Sequence, residues 1–174
     1  ALDASLAYRR HFPAINWLTS HSLYLESLKP WYDENLGKDF MKNREWAMAT
    51  LQEEASLNEI VQLVGKDSLS ARDQITLEVA KMIREDFLQQ NAFMEGDAYT
   101  EAKKMYALMN LVLDFDKKMR AAASNGADID ILSELPVREA IGRAKAVPYA
   151  DFREKYAQIE AQIDQEIASV KGVN

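Results

Sequence analysis

The chain has 174 residues, of which 48% are apolar, and this is enough to form one domain with a hydrophobic core. Its 21 lysines and arginines against 28 aspartates and glutamates leave a net charge of −7 without a long block of either sign, which disfavours binding to nucleic acid or to an anionic lipid surface. The chain has no cysteine, which excludes disulfides and thiolate sites, and its apolar runs are shorter than the ~20 residues that cross a membrane.

The first twenty residues, ALDASLAYRRHFPAINWLTS, have no regular apolar period. The Phe12–Pro13 step favours extended backbone at Phe12, because proline disfavours a helical conformation in the residue before it. We interpret residues 1–20 as a connector and residues 21–174 as a helical domain. In the helical part, the segment LYLESLKPWYDEN predicts a helix that Pro30 should end, kink or restart.

Two helices with a short polar link are predicted next, and together they form an αα-hairpin. Apolar residues at helical spacing line both helices: Leu51, Ile60, Val61 and Val64 in the first, and Ile75, Val79, Met82, Ile83 and Phe87 in the second. Gly65 stands where a left-handed residue would cap the first helix. Ser70 precedes Asp73 with the spacing of a capping box at the start of the second. On spacing alone, a tip that only connects the two helices is the favoured interpretation.

Further helices are predicted in the rest of the chain. The stripe of the first consists of Met105, Met109, Val112, Phe115 and Met119, and Asn125 with Gly126 ends it. A short helix around PVREAIGRAKAV follows, and a last helix runs from about residue 149 to 170 with Pro148 near its start. Its apolar stripe consists of Phe152, Tyr156, Ile159, Ile163, Ile167 and Val170. The sequence therefore predicts an all-α fold.

The segment DFLQQNAFMEGDAY, after the hairpin, combines aromatic, amide and glycine residues. Phe93 and Tyr99 flank Gly96 in a stretch too polar for the interior of a helix. An aromatic ring beside amides such as Gln90 and Asn91 suits a planar ligand, because the ring stacks on the ligand face while amides bind its edges. A phenylalanine buried in the core is the commoner role for such a residue, so the pattern leaves both interpretations open.

Two long stretches point to a family, and they read RRHFPAINWLTSHSLYLESLKPWYDENLG and LQEEASLNEIVQLVGKDSLSARDQITLEVAKMIREDFLQQNAF. In them the chain resembles the C-terminal region of the catalytic A subunit of V-type and A-type rotary ATPases and ATP synthases. The resemblance covers about residues 8–95, whereas residues 100–174 match mainly as a helical pattern. It implies a helical bundle or superhelix of about five to seven helices, with the αα-hairpin as a lever.

A weaker likeness reaches the catalytic β subunit of the F-type enzyme, which has an acidic DELSEED tip between two helices. The tip here reads Asp67-Ser68-Leu69-Ser70-Ala71-Arg72-Asp73. Arg72 stands where the F-type tip is acidic. The resemblance thus implies a hairpin tip that contacts the central rotor through Lys66, Asp67, Ser68, Leu69, Ser70, Ala71, Arg72 and Asp73.

The family resemblance also implies that Phe12 and Phe93 sandwich the adenine of bound ATP or ADP. Gln90 and Asn91 would supply polar edges nearby, and Tyr99 is a weaker candidate for the same wall. No catalytic residue and no metal ligand is assigned to this chain, because the family places its phosphate-binding loop, magnesium-coordinating acid and catalytic glutamate in a preceding nucleotide-binding domain. Residues 1–20 would be the connector from that domain, and this chain alone should not hydrolyse ATP.

The expected setting follows from the same resemblance. The whole catalytic subunit would bind ATP or ADP with Mg²⁺ and contact the B subunits of the hexameric head and the rotor subunits of the central stalk. It would couple ATP hydrolysis or synthesis to rotation and to proton or sodium transport. Its location would be cytoplasmic and peripheral to the membrane, with no direct membrane insertion and no nucleic-acid partner.

Two other classes of function compete with this interpretation. A free-standing helical adaptor would bind partners through exposed helix faces, and it should begin with a capped helix rather than with an aperiodic segment that carries Phe12. A metal-dependent helical enzyme is disfavoured, because His11 and His21 are ten residues apart and neither belongs to the Glu-x-x-His pair of di-iron bundles.

Overall fold

A computed structural model describes residues 1–170, and every regular element in this range is helical. The α-helices are α1 (Ala4–Tyr8), α2 (Leu25–Asn35), α3 (Phe40–Val64), α4 (Ala71–Met82), α5 (Glu95–Ala98), α6 (Ala102–Ser124), α7 (Ile129–Ser133), α8 (Pro136–Arg143) and α9 (Phe152–Ser169). Short 3-10 helices span Lys66–Ser68 and Ala144–Ala146. A short π-helix, the π turn, continues α4 from Ile83 to Leu88. Six of the described α-helices have eight residues or more, which confirms the predicted all-α fold of about five to seven helices. None of these helices has the length and hydropathy that a bilayer crossing requires.

The core forms around α6, which packs against α9, α4 and α3. Its predicted stripe is buried from Met109 to Met119, while Met105 at the N-terminal end is partly exposed. The last helix begins at Phe152, three residues later than predicted, and its stripe is buried from Phe152 to Ile163. The Tyr156 hydroxyl donates to the carbonyl oxygen of Ala144 at 3.0 Å, and burial raises the pKa of Tyr156. These contacts fix α9 and the turn after α8 against α6.

The predicted αα-hairpin is formed by α3 and α4, which pack against each other. Its base is part of the core, since Leu51, Ile75 and Val79 are buried. Ile60 and Val64 belong to the predicted stripe of α3 but are exposed. The apolar period therefore predicted the helix correctly, but it wrongly predicted burial in the last turns of α3, which extend past the core.

Gly65 ends α3 with φ of 86° and ψ of 159°. The positive φ agrees with the predicted cap, but the extended ψ differs from a left-handed helical residue. The reason is local, because a 3-10 turn starts at the next residue and Ser68 takes over the capping. The Ser68 hydroxyl donates to the carbonyl oxygens of Val64 at 3.0 Å and Gly65 at 2.7 Å.

The N-terminal segment contains the short helix α1, although its sequence shows no apolar period. Asp3 caps α1 by accepting the backbone N–H of Ser5 at 2.8 Å, and an isolated antiparallel bridge joins Leu2 and Ile15. Farther along, α2 continues through Pro30 without ending or restarting. No residue of α2 is buried, so the carbonyl group that loses its N–H partner at the proline can bond to water.

Candidate functional site

The four residues that the family resemblance assigned to adenine line one open cavity of about 680 Å³. They come from two segments that are far apart in sequence: Phe12 from the N-terminal segment, and Gln90, Asn91 and Phe93 from the loop after the π turn. A backbone hydrogen bond joins the segments directly, from the N–H of Gln90 to the carbonyl oxygen of Phe12 at 2.6 Å. The two aromatic residues are thereby held at the same opening.

Phe93 is 99% exposed and Phe12 is 49% exposed. The interpretation of Phe93 as a core residue is therefore wrong. A fully exposed phenylalanine ring keeps both faces available for a planar ligand, and burial of either face removes apolar surface from water. Tyr99 is also exposed but does not line the cavity.

The loop that carries Phe93 is built around Asp97, whose side chain is buried. Its carboxylate accepts the backbone N–H of Asn91 at 2.6 Å, and its carbonyl oxygen accepts the side-chain amide of Gln90 at 2.7 Å. The Asn91 side chain in turn accepts the N–H of Phe93 at 3.0 Å. Both amide residues therefore support the loop itself, and their side chains fix the direction in which Phe93 leaves the backbone.

Two lysines hold the base of the same loop. The Lys145 ammonium donates to the carbonyl oxygens of Gln89 at 2.6 Å and Glu85 at 3.1 Å, at the end of the π turn. Lys104 is buried on α6 and donates to the carbonyl oxygen of Lys145 at 2.6 Å. Burial lowers the pKa of Lys104, and the nearby charge of Asp97 opposes that change. These contacts join α6, the turn after α8 and the loop into one support.

Several lining residues were absent from the sequence-based prediction. Arg10, Gly142, Arg143 and Lys145 complete the cavity wall. Lys104 and Lys145 are 41 residues apart, and no local motif marks either of them. Their positions depend on how α6 and α8 fold back toward the loop, so the fold was needed to find them.

The cavity lining combines aromatic and cationic side chains. Two aromatic rings at one opening can contact a planar ligand, and Arg10 and Arg143 also line the cavity, the latter with its guanidinium donating to Glu139. Mg²⁺ prefers carboxylate and phosphate oxygens. Within residues 1–170, no group of three or more histidine, aspartate or glutamate side chains is arranged to hold a metal ion.

The hairpin tip is exposed at Lys66, Asp67 and Ser68 and lies at the opposite end of α4 from the cavity. The predicted cap of α4 is present, because the Ser70 hydroxyl accepts the N–H of Asp73 at 3.2 Å and donates to its carboxylate at 2.7 Å. Leu69 is partly buried, and Ala71 and Arg72 are exposed. At ~1.5 Å per residue, α4 and the π turn separate tip and cavity by on the order of 25 Å.

Comparisons with known proteins show which family the chain resembles. Residues 29–130 match the model of the family described as the C-terminal domain of V and A type ATP synthase. The chain is 50% identical over 169 residues to a V-type ATP synthase alpha chain of Acetivibrio thermocellus, covering 97% of this chain and 29% of that relative. It is 52% identical over 169 residues to a V-type ATP synthase alpha chain of Clostridioides difficile, covering 97% of this chain and 28% of that relative.

A relative named as an A-type subunit is similar to about the same extent. The chain is 48% identical over 166 residues to the A subunit of the A-type ATP synthase of Methanosphaera stadtmanae, covering 95% of this chain and 28% of that relative. The similarity therefore extends well past residue 95, where the resemblance in the sequence was expected to end. The chain spans less than a third of the length of these curated relatives. With a family model that matches more than half of its residues, the chain belongs to the family of C-terminal domains of V and A type ATP synthases.

Proposed function

We propose that this chain is the helical domain with which the catalytic subunit of a V/A-type ATP synthase closes over the adenine of ATP or ADP. The observation that carries the proposal is the shared cavity of Phe12 and Phe93, which are 81 positions apart and are joined through the hydrogen bond between Gln90 and Phe12. Stacking of a base on an aromatic side chain contributes ~1–3 kcal/mol.

The second part of the proposal is that the domain moves toward the bound nucleotide. Substrate-induced closure commonly completes a catalytic site and excludes water from it. In the conformation described, Phe93 projects into solvent, so its ring is free to meet a base that approaches from another part of the catalytic subunit. The hairpin of α3 and α4 would swing with the domain, and residues 66–73 at its tip would act on the rotor subunits of the central stalk.

The phosphates and Mg²⁺ belong elsewhere in the proposed catalytic subunit. The sequence contains no GxxxxGK[ST] loop, and phosphoryl transfer depends on charge stabilisation around the phosphates. We expect this chain by itself to be inactive in ATP hydrolysis. In the complex, the domain would lie next to B subunits in the cytoplasmic head, which is peripheral to the membrane. Its closure would couple ATP hydrolysis or synthesis to rotation and to proton or sodium transport.

The experiment that tests the adenine contact is Phe93→Ala in the full-length protein. We expect ADP to bind about 5- to 150-fold more weakly, which corresponds to the ~1–3 kcal/mol of a lost stack, as measured by isothermal titration calorimetry. Tyr99→Ala is the matched control, since Tyr99 is an exposed aromatic near the same loop that does not line the cavity. An unchanged ADP dissociation constant in Phe93→Ala would contradict the proposal and favour a helical adaptor that needs no ligand.

A further inference from the structure

The π turn at the end of α4 is the point where the cavity and the hairpin meet. The carbonyl oxygen of Arg84 accepts the N–H of Gln89, five residues later, at 2.9 Å. The same oxygen lies 3.0 Å from Nε2 of His11. Such π turns occur often at functional sites, because the extra residue turns backbone groups toward other partners.

His11 fastens the N-terminal segment to this turn. It is only 8% exposed, its Nδ1 lies 3.2 Å from the carbonyl oxygen of Pro13, and its ring is 5.4 Å from that of Trp17. Its neighbour in sequence is Phe12, whose carbonyl oxygen accepts the N–H of Gln90. The position of Arg84 therefore fixes both segments that supply the aromatic walls of the cavity.

The side chain of Arg84 links the π turn to the first helix of the hairpin. Its guanidinium forms a bidentate pair with Glu54 on α3, with Nε 3.0 and 3.1 Å from the two carboxylate oxygens and Nη2 2.9 Å from one of them. Glu54 is buried on the helix that leads to the tip. A bidentate pair fixes the relative orientation of its two partners better than a single contact does. Arg84 is thus bound through its side chain to the first hairpin helix and through its carbonyl group to the cavity segments.

We propose that Glu54, Arg84 and His11 are positioning residues that make the geometry of the adenine cavity and the angle of the hairpin depend on each other. A ligand that moves Phe12 and Phe93 shifts His11 and the π turn, and the Arg84–Glu54 pair transmits the shift to α3. The inference rests on the proposed function for the identity of the ligand. Coupling of this kind requires that the ligand bias an element with two arrangements. In this inference the hairpin is that element, and its angle to the rest of the domain differs between the two arrangements.

The test uses the full-length protein in its assembled complex. One spin label is placed on the hairpin and one on another helix of the same domain. The labels are attached at Glu59→Cys, on the exposed face of α3, and at Lys155→Cys, on α9. The described chain has no cysteine of its own, so both labels are specific within it. The readout is the change in the distance between the labels when ADP is added, measured by pulsed electron paramagnetic resonance. A residue with only a structural role would not alter that change.

Glu54→Gln is compared with Glu53→Gln, which removes the same charge from an exposed neighbouring position. We expect the distance change to be at least halved in Glu54→Gln and to match the wild type in Glu53→Gln. A neutral amide has one acceptor oxygen in place of two and no charge, so it cannot form the bidentate ion pair with Arg84. Arg84→Lys is the second variant, used if Glu54→Gln lowers the yield of the complex, since lysine keeps the charge but cannot form the bidentate pair. A wild-type distance change in Glu54→Gln, or in Arg84→Lys where that variant is used, overturns the inference.

The outcomes separate this inference from the proposed function. If the wild type shows no ADP-dependent distance change, the hairpin moves with the domain as one body, so the inference is overturned while the proposed function stands. If Phe93→Ala binds ADP as tightly as the wild type does, the adenine assignment fails. If Phe93→Ala binds ADP weakly and Glu54→Gln keeps the full distance change, only the inference is overturned.

Discussion

At the scale of single residues, Asp3 is the carboxylate that orders the segment leading to Phe12. Its side chain accepts the hydroxyl of Ser5 at 2.7 Å and the side-chain amide of Asn16 at 2.7 Å, in addition to the N–H of Ser5. The hydrogen bond from the Ser5 hydroxyl, followed by that from Asn16, lowers the pKa of Asp3 from 3.8 to about 2. Asp3 therefore closes the loop that begins at Ala1 and returns at Asn16.

The lowered pKa gives a pH dependence with a defined sign. A carboxyl group whose pKa is lower in the folded state stabilises the fold fully above its unfolded pKa of 3.8, and this contribution is lost as the pH falls through about 2. We expect a carbon-detected NMR titration of the Asp3 carboxyl to give a midpoint near 2. Asn16→Ala should raise that midpoint toward 3.8. A wild-type midpoint already at 3.8, or one that Asn16→Ala leaves in place, would contradict the assignment.

The sequence pointed to the aromatic residues of the candidate site but not to the residues that hold its loop in place. Phe12 and Phe93 were found because the family resemblance marks them, whereas burial statistics alone favoured a core role for Phe93. Its exposure follows from Asp97, which folds the loop through hydrogen bonds that no apolar period reports. Lys104 sits in a helix where a charged residue normally faces water, and only the fold brings it under the cavity.

At the scale of elements, the hairpin tip depends on the backbone of Gly65. Its φ of 86° with ψ of 159° is a region that L-residues with a side chain rarely adopt. An added Cβ would have no atom within 4 Å apart from those of residue 65 and its two neighbours in the chain. Gly65→Ala therefore creates backbone strain without a steric clash. We expect it to lower the free energy of unfolding by about 1–3 kcal/mol, measured by urea denaturation.

Gly96→Ala is the control for that substitution. Gly96 also has open space around its Cβ position, but it lies in α5 without a positive φ. Alanine is favoured over glycine in a helix by ~0.5–1 kcal/mol, so this variant should be neutral or slightly more stable. Equal destabilisation by both substitutions would show that side-chain bulk, and not backbone conformation, decides the effect at Gly65.

The elements were predictable where apolar spacing decides them. The stripes of α6 and α9 extend over many turns, and both helices lie where the periodicity placed them. The π turn at Ile83–Leu88 could not be predicted, because one of the partners of Arg84 is His11, 73 residues earlier. The burial of α3 was predicted too far toward the tip, since periodicity is the same whether a helix packs on the core or extends beyond it.

At the scale of the whole molecule, the cavity and the exposed hairpin tip lie at opposite ends of α4 and the π turn. The cavity lies after the C-terminal end of the π turn, and the exposed tip lies before the N-terminal end of α4. The base of the hairpin is fixed in the core through Leu51, Ile75 and Val79. In the proposed catalytic subunit, this arrangement would convert contact with an adenine into movement of the tip.

The fold class followed from spacing, but the family followed from long stretches that resemble known proteins. No physical pattern in the sequence distinguishes a rotor lever from an ordinary connecting turn, because both are short polar links between helices. The family match over residues 29–130 covers the hairpin and the Phe93 loop, while Phe12 lies before it. The resemblance implied that Phe12 and Phe93 converge, and in the folded chain both line one cavity.

The most direct test of the central claim is photolabelling of the full-length protein with an azido-adenine nucleotide, followed by mass spectrometry of its peptides. We predict that the label attaches to peptides that contain Phe12 or Phe93, and that excess ADP prevents it. Labelling that ADP prevents but that falls only on peptides outside this chain would contradict the claim that this domain closes over the adenine.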